Sequence, residues 1–112
     1  MKLSGMGGLM KQAQKLQEDM AKAQAELEQM EVEGSAGGGV VTAKASGKQE
    51  LIEIKIDPDV VDPKDTEMLE DLIVAAVNQA LNNAREVAEE KMSSLTGGLM
   101  SGLPKGFKLP GL

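Results

Sequence analysis

One long segment without glycine or proline, residues 65–95, constrains the fold of this chain most strongly. Its apolar residues recur every three or four positions, which predicts an α-helix about 46 Å long. Along one side of that helix four alanines follow one another at intervals of four: Ala76, Ala80, Ala84 and Ala88. Side chains this small allow another backbone to approach closely. The sequence therefore predicts a long helix whose alanine face, including Ala80, Ala84 and Ala88, packs against a neighbouring element.

Composition limits the core and the chemistry. The chain has 112 residues, with 8 methionines, one aromatic residue (Phe107) and no His, Cys, Trp or Tyr. This length fits a single domain, and the shortage of large aromatic side chains favours a core completed by oligomerisation. The common general bases, thiol nucleophiles and transition-metal ligands are missing. We therefore expect no enzyme activity, no catalytic residues, no metal, no cofactor and no small-molecule substrate.

Hydrophobicity and cysteine usage bear on location. No apolar run approaches the roughly 18 residues of a membrane span. The absence of cysteine suits a reducing compartment. We expect a cytoplasmic protein that does not enter the membrane.

The first predicted helix carries a heptad pattern. Spacings of four and three connect seven residues between positions 9 and 30: Leu9, Ala13, Leu16, Met20, Ala23, Leu27 and Met30. A 3.5-residue period favours a partner helix alongside, so we expect Leu9, Leu16, Met20 and Leu27 to pack in an arm or a dimer. The alternative is an ordinary amphipathic core helix. Residues 1–8, rich in glycine, are expected to form a flexible N-terminus.

The centre of the chain predicts three short antiparallel strands with one buried face. They comprise residues 31–36, 40–45 and 51–56, the last with isoleucine at every second position. The glycines at 37–39 favour a hairpin loop over a phosphate-binding loop, because the motif for the latter is absent. Asp62 and Pro63 are predicted as the N-cap and first residue of the long helix. Residues 9–96 thus form the predicted α-β-β-β-α domain.

The last sixteen residues differ in composition from the rest. Residues 97–112 contain five glycines, two prolines and two lysines, Lys105 and Lys108, which flank Phe107. This composition is typical of a flexible tail.

Element lengths and charges together predict basic arms. The class is α+β, and strands of about 20 to 23 Å are shorter than helices of about 33 and 46 Å. Both helices must overhang the sheet, and the overhanging ends can pair as an antiparallel arm. Residues 1–17 and 84–112 together carry a charge of +4, which leaves −10 on the body. Such a field directs a polyanion toward the arms. The predicted DNA contacts are Lys2, Lys11, Lys15, Lys22, Arg85, Lys91, Lys105 and Lys108.

Several segments resemble the YbaB/EbfC family of nucleoid-associated, DNA-binding proteins. They are the Met- and Gln/Lys-rich first helix, the segments 34–41 and 69–80, the Gly47-Lys48 turn and the strand that ends Ile54-Lys55-Ile56-Asp57-Pro58. The resemblance implies a tweezer-shaped homodimer whose helical arms hold double-stranded DNA in the bacterial nucleoid. It also implies a role in nucleoid organisation, gene expression and DNA protection through altered DNA conformation. Because no groove-reading pattern is evident, little sequence preference is expected.

Two other classes of function stay open from the sequence. A prefoldin-like holding chaperone also carries coiled-coil arms on a β body, but binds clients through apolar tips. A protein-protein adaptor could use the same arms. DNA binding should weaken steeply with salt, whereas apolar client binding should not.

Overall fold

The computed structural model describes the backbone of residues 2–100 and the side chains of residues 7–95. In chain order the elements are helix α1 (Lys2–Gln29), strands β1 (Glu31–Ala36), β2 (Val41–Ser46) and β3 (Leu51–Ile56), a short 3-10 turn (Pro58–Val60) and helix α2 (Thr66–Met100). The predicted α+β class and element order are confirmed. The dimensions are 77 × 28 × 18 Å, so the molecule is strongly elongated.

The three strands form one antiparallel sheet in the order β1-β2-β3. Gly34 pairs with Ala43 in the first ladder, and Ala43 pairs with Ile54 in the second. The β1–β2 connection contains Gly37, Gly38 and Gly39, with φ values of 64°, 73° and 97°. Backbone in this region is strained for residues with a Cβ atom. The glycine run is therefore a hairpin loop, as predicted.

Helix α2 packs its alanine face against β1 and β2. Ala76, Ala80 and Ala84 are fully buried together with Val41 and Ala43, while Ala88 is half-buried. Gly34 on β1 makes this close approach possible, because a Cβ atom there would lie 2.7 Å from the Ala76 carbonyl oxygen and 2.8 Å from the Ala80 Cα. The small-residue face of α2 thus packs directly against the sheet.

Strand β3 lies outside this packed region, contrary to the predicted single buried face across three strands. Every residue of β3 is exposed in the single chain, and Leu51, Ile52, Ile54 and Ile56 retain 36–50% of their accessible surface. Ile54 and Ile56 pair with Ala43 and Val41 and share their face of the sheet. Helix α2 crosses β1 and β2 and leaves the apolar row of β3 uncovered.

The helix ends also differ from the prediction. Helix α1 begins at Lys2 instead of Leu9, because no proline interrupts the segment despite its glycines. The predicted cap of α2 is wrong: Asp62 accepts a hydrogen bond from the Lys64 N–H in a turn, and Asp65 accepts one from the Met68 N–H at 3.3 Å. Asp65 therefore caps the helix, which begins at Thr66. Helix α2 continues to Met100, so residues 97–100, predicted as the start of the flexible tail, are helical. The rest of the predicted tail, residues 101–112, lies outside the described residues.

Candidate nucleic-acid interface

Helices α1 and α2 form an antiparallel arm beyond the sheet. The face of α2 that covers the sheet at Ala84 continues into the arm, where Lys91 forms an ion pair with Glu26 of α1. Lys91 lies nine residues before the end of α2, so that end is level with residue 17, nine residues before Glu26. The N-terminal part of α1 consequently projects past the end of α2, so the two helices of the arm are of unequal length.

Lys11 and Lys15 lie on the projecting part of α1, and Lys22 follows on the part that runs beside α2. Lys11, Lys15 and Lys22 are exposed and lie on the same side of the helix at intervals of four and seven residues. They span about 16 Å; residues 1–17, which include Lys11 and Lys15, contain no acidic side chain, whereas Lys22 lies within one helical turn of Glu18, Asp19 and Glu26. Three ammonium groups in a row on an exposed helix can contact a phosphate backbone.

The α2 half of the arm is less basic than predicted from charge counts alone. Lys91 is half-buried and its ammonium group is engaged by Glu26. The hydrogen bond and positive charge of Lys91 lower the pKa of the Glu26 carboxyl. Arg85 is exposed and donates to the Asn82 side-chain oxygen at 3.5 Å, a long hydrogen bond. Of the two predicted α2 contacts, Lys91 forms an ion pair and Arg85 forms none within the described part of the chain.

Two lysines of the body are neutralised by neighbours. Lys44 lies between Glu31 and Glu53 at 3.5 and 3.8 Å on the sheet, and Lys48 pairs with Glu28 at 3.2 Å. The side chains of Lys2, Lys105 and Lys108, which we also predicted as DNA contacts, lie outside the described side chains.

The heptad seam of α1 is closed only near the sheet. Leu27 is buried, Leu16 is half-buried, and Met20 and Leu9 are 37% and 67% exposed. At the closed end the Gly47 N–H donates to the Leu27 carbonyl at 2.8 Å, which joins α1 to the β2–β3 hairpin. The seam is thus buried at Ala23 and Leu27 and most exposed at Leu9 near the tip, with exposed Met20 and half-buried Leu16 between them.

Two side chains of α2 that sequence reasoning did not single out cover the outer edge of β1. The Ser35 N–H donates to Gln79 Oε1 at 2.6 Å, and Asn83 Nδ2 donates to the Glu33 carbonyl at 3.0 Å. Their spacing in the sequence, two amides four residues apart beside the alanine face, indicates that both lie next to the packed face of α2. These contacts occupy backbone groups that an exposed edge strand offers to other chains. No strand in the described part of the chain pairs with the outer edge of β3.

Two other kinds of site are absent from the described residues. Among the residues described, no three acidic side chains come together in a group that could hold a metal ion. Neither helix, over its described length, is long and apolar enough to cross a membrane.

Comparisons with known proteins agree with this geometry. The model of the YbaB/EbfC DNA-binding family matches residues 1–99. Proteins named nucleoid-associated protein are similar to the chain: one from Clostridium novyi is 59% identical over 85% of this chain and 89% of its own length. Another, from Alkaliphilus metalliredigens, is 56% identical over the same shares.

A solved structure shares the fold. The crystal structure of an uncharacterised protein from Helicobacter pylori matches with a TM-score of 0.60 over 89% of this chain and 98% of that chain, at 22% identity. That likeness concerns the fold alone. The family model covers nearly the whole chain and the relatives exceed 50% identity, so this α+β protein belongs to the YbaB/EbfC DNA-binding family.

Proposed function

We propose that this protein is a nucleoid-associated protein that binds double-stranded DNA as a homodimer with little sequence specificity. Binding changes the conformation of the DNA and thereby affects nucleoid organisation, gene expression and DNA protection. The observation that carries the proposal is the exposed lysine row of α1 in a chain of a DNA-binding family. The nucleoid in the cytoplasm is the proposed location.

Charge supports contact through phosphates. Lys11, Lys15 and Lys22 form the centre of the proposed surface, extended by Lys2 along α1 and by Arg85 on α2. Lys91 contributes only when its pair with Glu26 opens, and Lys105 and Lys108 extend the surface from the C-terminal segment. The acidic body repels a polyanion elsewhere, which confines DNA to the arms.

The amide side chains of α2 support weak sequence preference. Asn and Gln read adenine by donating and accepting together in the major groove. Gln79 and Asn83 are instead engaged by the β1 backbone, and Asn82 accepts from Arg85. Lysine contacts to phosphate carry no base information, so affinity is expected to vary little between DNA sequences.

The two edges of the sheet support a homodimer through β3. The β1 edge is covered by Gln79 and Asn83, whereas β3 presents a free edge next to the exposed row Ile52, Ile54 and Ile56. A second copy of the chain would cover this row and duplicate the arm by twofold symmetry. Two arms facing one duplex would also explain why a chain of net charge −6 binds a polyanion.

The dimer is tested by a charge placed on either face of β3. Ile54→Glu should weaken self-association by about 100-fold or more, because it buries an unpaired charge in the interface. Lys55→Glu introduces the same residue on the opposite face of β3 and should leave the dimer intact. Sedimentation equilibrium measures both variants; equal association constants would exclude β3 as the dimer surface.

The DNA surface is tested by salt dependence. Binding to a random-sequence duplex is measured by fluorescence anisotropy over a range of salt concentrations. If each phosphate contact releases a counterion, Lys11→Ala with Lys15→Ala should flatten the log-log slope by about 1.8 per subunit bound. The matched control is Lys55→Ala with Lys64→Ala, two exposed lysines of the body that form no ion pair within the described part of the chain. A slope changed only by the control pair would place the DNA on the sheet.

The exposed apolar tip of α1 favours a second candidate function, that of a holding chaperone. Leu9 and Met10 are 67% and 64% exposed, as expected of a holding chaperone that grips apolar clients. Leu9→Ser with Met10→Ser would abolish client binding without changing the salt slope for DNA. Suppression of aggregation of an unfolded test protein measures this activity directly.

A further inference from the structure

The two helices of the arm do not close against each other. Between them lies an open groove of about 470 Å³, formed where α1 and α2 run past the sheet. Its apolar lining comes from Ala23 of α1, from Met30 directly after α1, and from Val87 and Leu95 of α2. A groove of this size accommodates a large apolar side chain.

Acidic groups without ion-pair partners surround the groove. Glu26 is neutralised by Lys91, but Asp19 and Glu90 take part in no ion pair within the described part of the chain. Glu89 borders an adjoining hollow on α2 and is likewise unpaired there. Against these three acids stands Lys22 on the rim. The groove thus suits an apolar side chain flanked by cations.

The C-terminal segment of the same chain has this character. Phe107 is the single aromatic residue and stands between Lys105 and Lys108. Pro104 and Pro110 do not fit the interior of a continued helix, so an extended path is the natural one for the segment.

The distances match as well. Helix α2 ends at Met100, and its groove residues Leu95 and Val87 lie about 7 and 20 Å back along the axis. Seven residues, 101–107, reach at most about 25 Å when extended. Phe107 can therefore reach any point of the groove from the end of its own α2.

We infer that residues 103–109 dock in the groove between α1 and α2, with Phe107 between the apolar side chains and Lys105 and Lys108 on the acidic rim. The segment completes the core of the arm with the aromatic residue that the body lacks. While the segment is docked, Lys105 and Lys108 are withheld from DNA and extend the proposed surface only when the segment is released, a consequence that rests on the proposed function. The docking itself requires no DNA.

Because Phe107 is the one phenylalanine, the docking can be observed without any substitution. Uniform labelling with 4-fluorophenylalanine gives a single ¹⁹F resonance, which is compared with that of a labelled peptide of residues 101–112. We expect the two resonances to differ in DNA-free buffer, independently of protein concentration. Coinciding resonances would overturn the inference. A difference that disappears on dilution would overturn it too, since a second copy would then be the occupant.

A matched pair of charge variants locates the contact. Asp19→Lys with Glu90→Lys reverses the rim and should move the resonance to the position of the peptide. Glu18→Lys with Glu86→Lys makes the same charge change on the same helices outside the groove and should leave the resonance unmoved. If both pairs have the same effect, the groove is not the docking site.

Carbodiimide cross-linking gives an independent measurement on the unmodified chain. Amide bonds between Lys105 or Lys108 and Asp19 or Glu90 are expected within one chain, as identified by mass spectrometry. Their absence, with the Lys91–Glu26 cross-link present as an internal standard, would contradict the docking.

Discussion

The body and the arm use the same face of α2 in two different ways. In the body, Ala76 and Ala80 bring the helix backbone against Gly34, with no side chain between them. In the arm, the next turns of that face carry Val87, Lys91 and Leu95, which keep α1 at a distance and leave an open groove. Side-chain size along one helix face thus separates a rigid region from an open one.

Together with the proposed DNA surface, this difference locates the stability of the fold in the body and DNA binding in the arm. Close backbone packing fixes the sheet against α2 and tolerates almost no change in volume. The arm is held by an ion pair and few apolar contacts, and regions of that kind open at low free-energy cost. Changes in the body should therefore affect unfolding, and changes in the arm should affect mainly binding.

The largest expected effect comes from one methyl group in the body. Gly34→Ala places a Cβ atom 2.7 Å from the Ala76 carbonyl oxygen, where only backbone movement can relieve the overlap. We expect a loss of about 3 kcal/mol in the free energy of unfolding, measured by urea denaturation. Gly8→Ala, with no atom within 4 Å, should be neutral or stabilising by up to about 1 kcal/mol. Similar losses in the two variants would remove the contrast between body and arm.

The second prediction follows the heptad seam from the body to the tip. Leu27→Ala removes a side chain that is 4% exposed and should cost about 2 to 3 kcal/mol. The same change at Leu9, which is 67% exposed, should cost less than about 0.5 kcal/mol. Both are measured by thermal unfolding. A large cost at Leu9 would show that the tip is packed in the assembled protein.

A smaller effect is expected at the outer edge of β1. Gln79→Ala and Asn83→Ala each remove one hydrogen bond to the β1 backbone, so each should cost about 1 kcal/mol. The double variant should also form larger assemblies in light scattering, since a free β edge recruits other chains. Asn78→Ala, exposed on the same helix, is the control. Unchanged assembly size would mean that other features protect this edge.

The smallest effect concerns the ion pair of the arm. Lys91 lowers the pKa of Glu26 in the folded chain, so the pair stabilises the fold above the ordinary glutamate pKa. That contribution is lost as pH falls through the lowered pKa. Glu26→Gln should therefore melt slightly below the wild type at neutral pH, and the difference should vanish in acid. Glu18→Gln should show no such pH-dependent difference; if it does, the effect is not due to the pair.

Local patterns predicted the elements well, while their mutual arrangement needed the structure. The alternating isoleucines at 52, 54 and 56 identified β3, yet coverage of that face depends on where α2 crosses the sheet. Asp62, which was predicted as the N-cap, accepts from the Lys64 N–H in a turn, and the Met68 N–H identifies Asp65 as the cap. Exposure of Lys11 and Lys15 follows from helix periodicity alone.

Long-range pairs explain the remaining differences. Lys91 was predicted as a DNA contact from the charge of its segment, but the antiparallel register of the two helices places it against Glu26. Gln79 and Asn83 serve the β1 edge because Gly34 lets α2 come near enough. The spacing of the two amides is a local signal, but the partners of Lys91, Gln79 and Asn83 lie far away in the sequence, so periodicity could not identify those partners.

Helix α1 is tied to the β2–β3 hairpin at one end, by the hydrogen bond from the Gly47 N–H to the Leu27 carbonyl and by the ion pair between Lys48 and Glu28, so the helix can pivot about that end. Leu9 lies eighteen residues from Leu27, about 27 Å along the helix axis. A tilt of α1 by about 10° about Leu27 would therefore displace the tip of the helix by about 5 Å. In a dimer with two such arms, the distance between the tips of the two α1 helices would change by about twice that amount. The spacing of the lysines could then adjust to straight or curved DNA while the sheet stays unchanged.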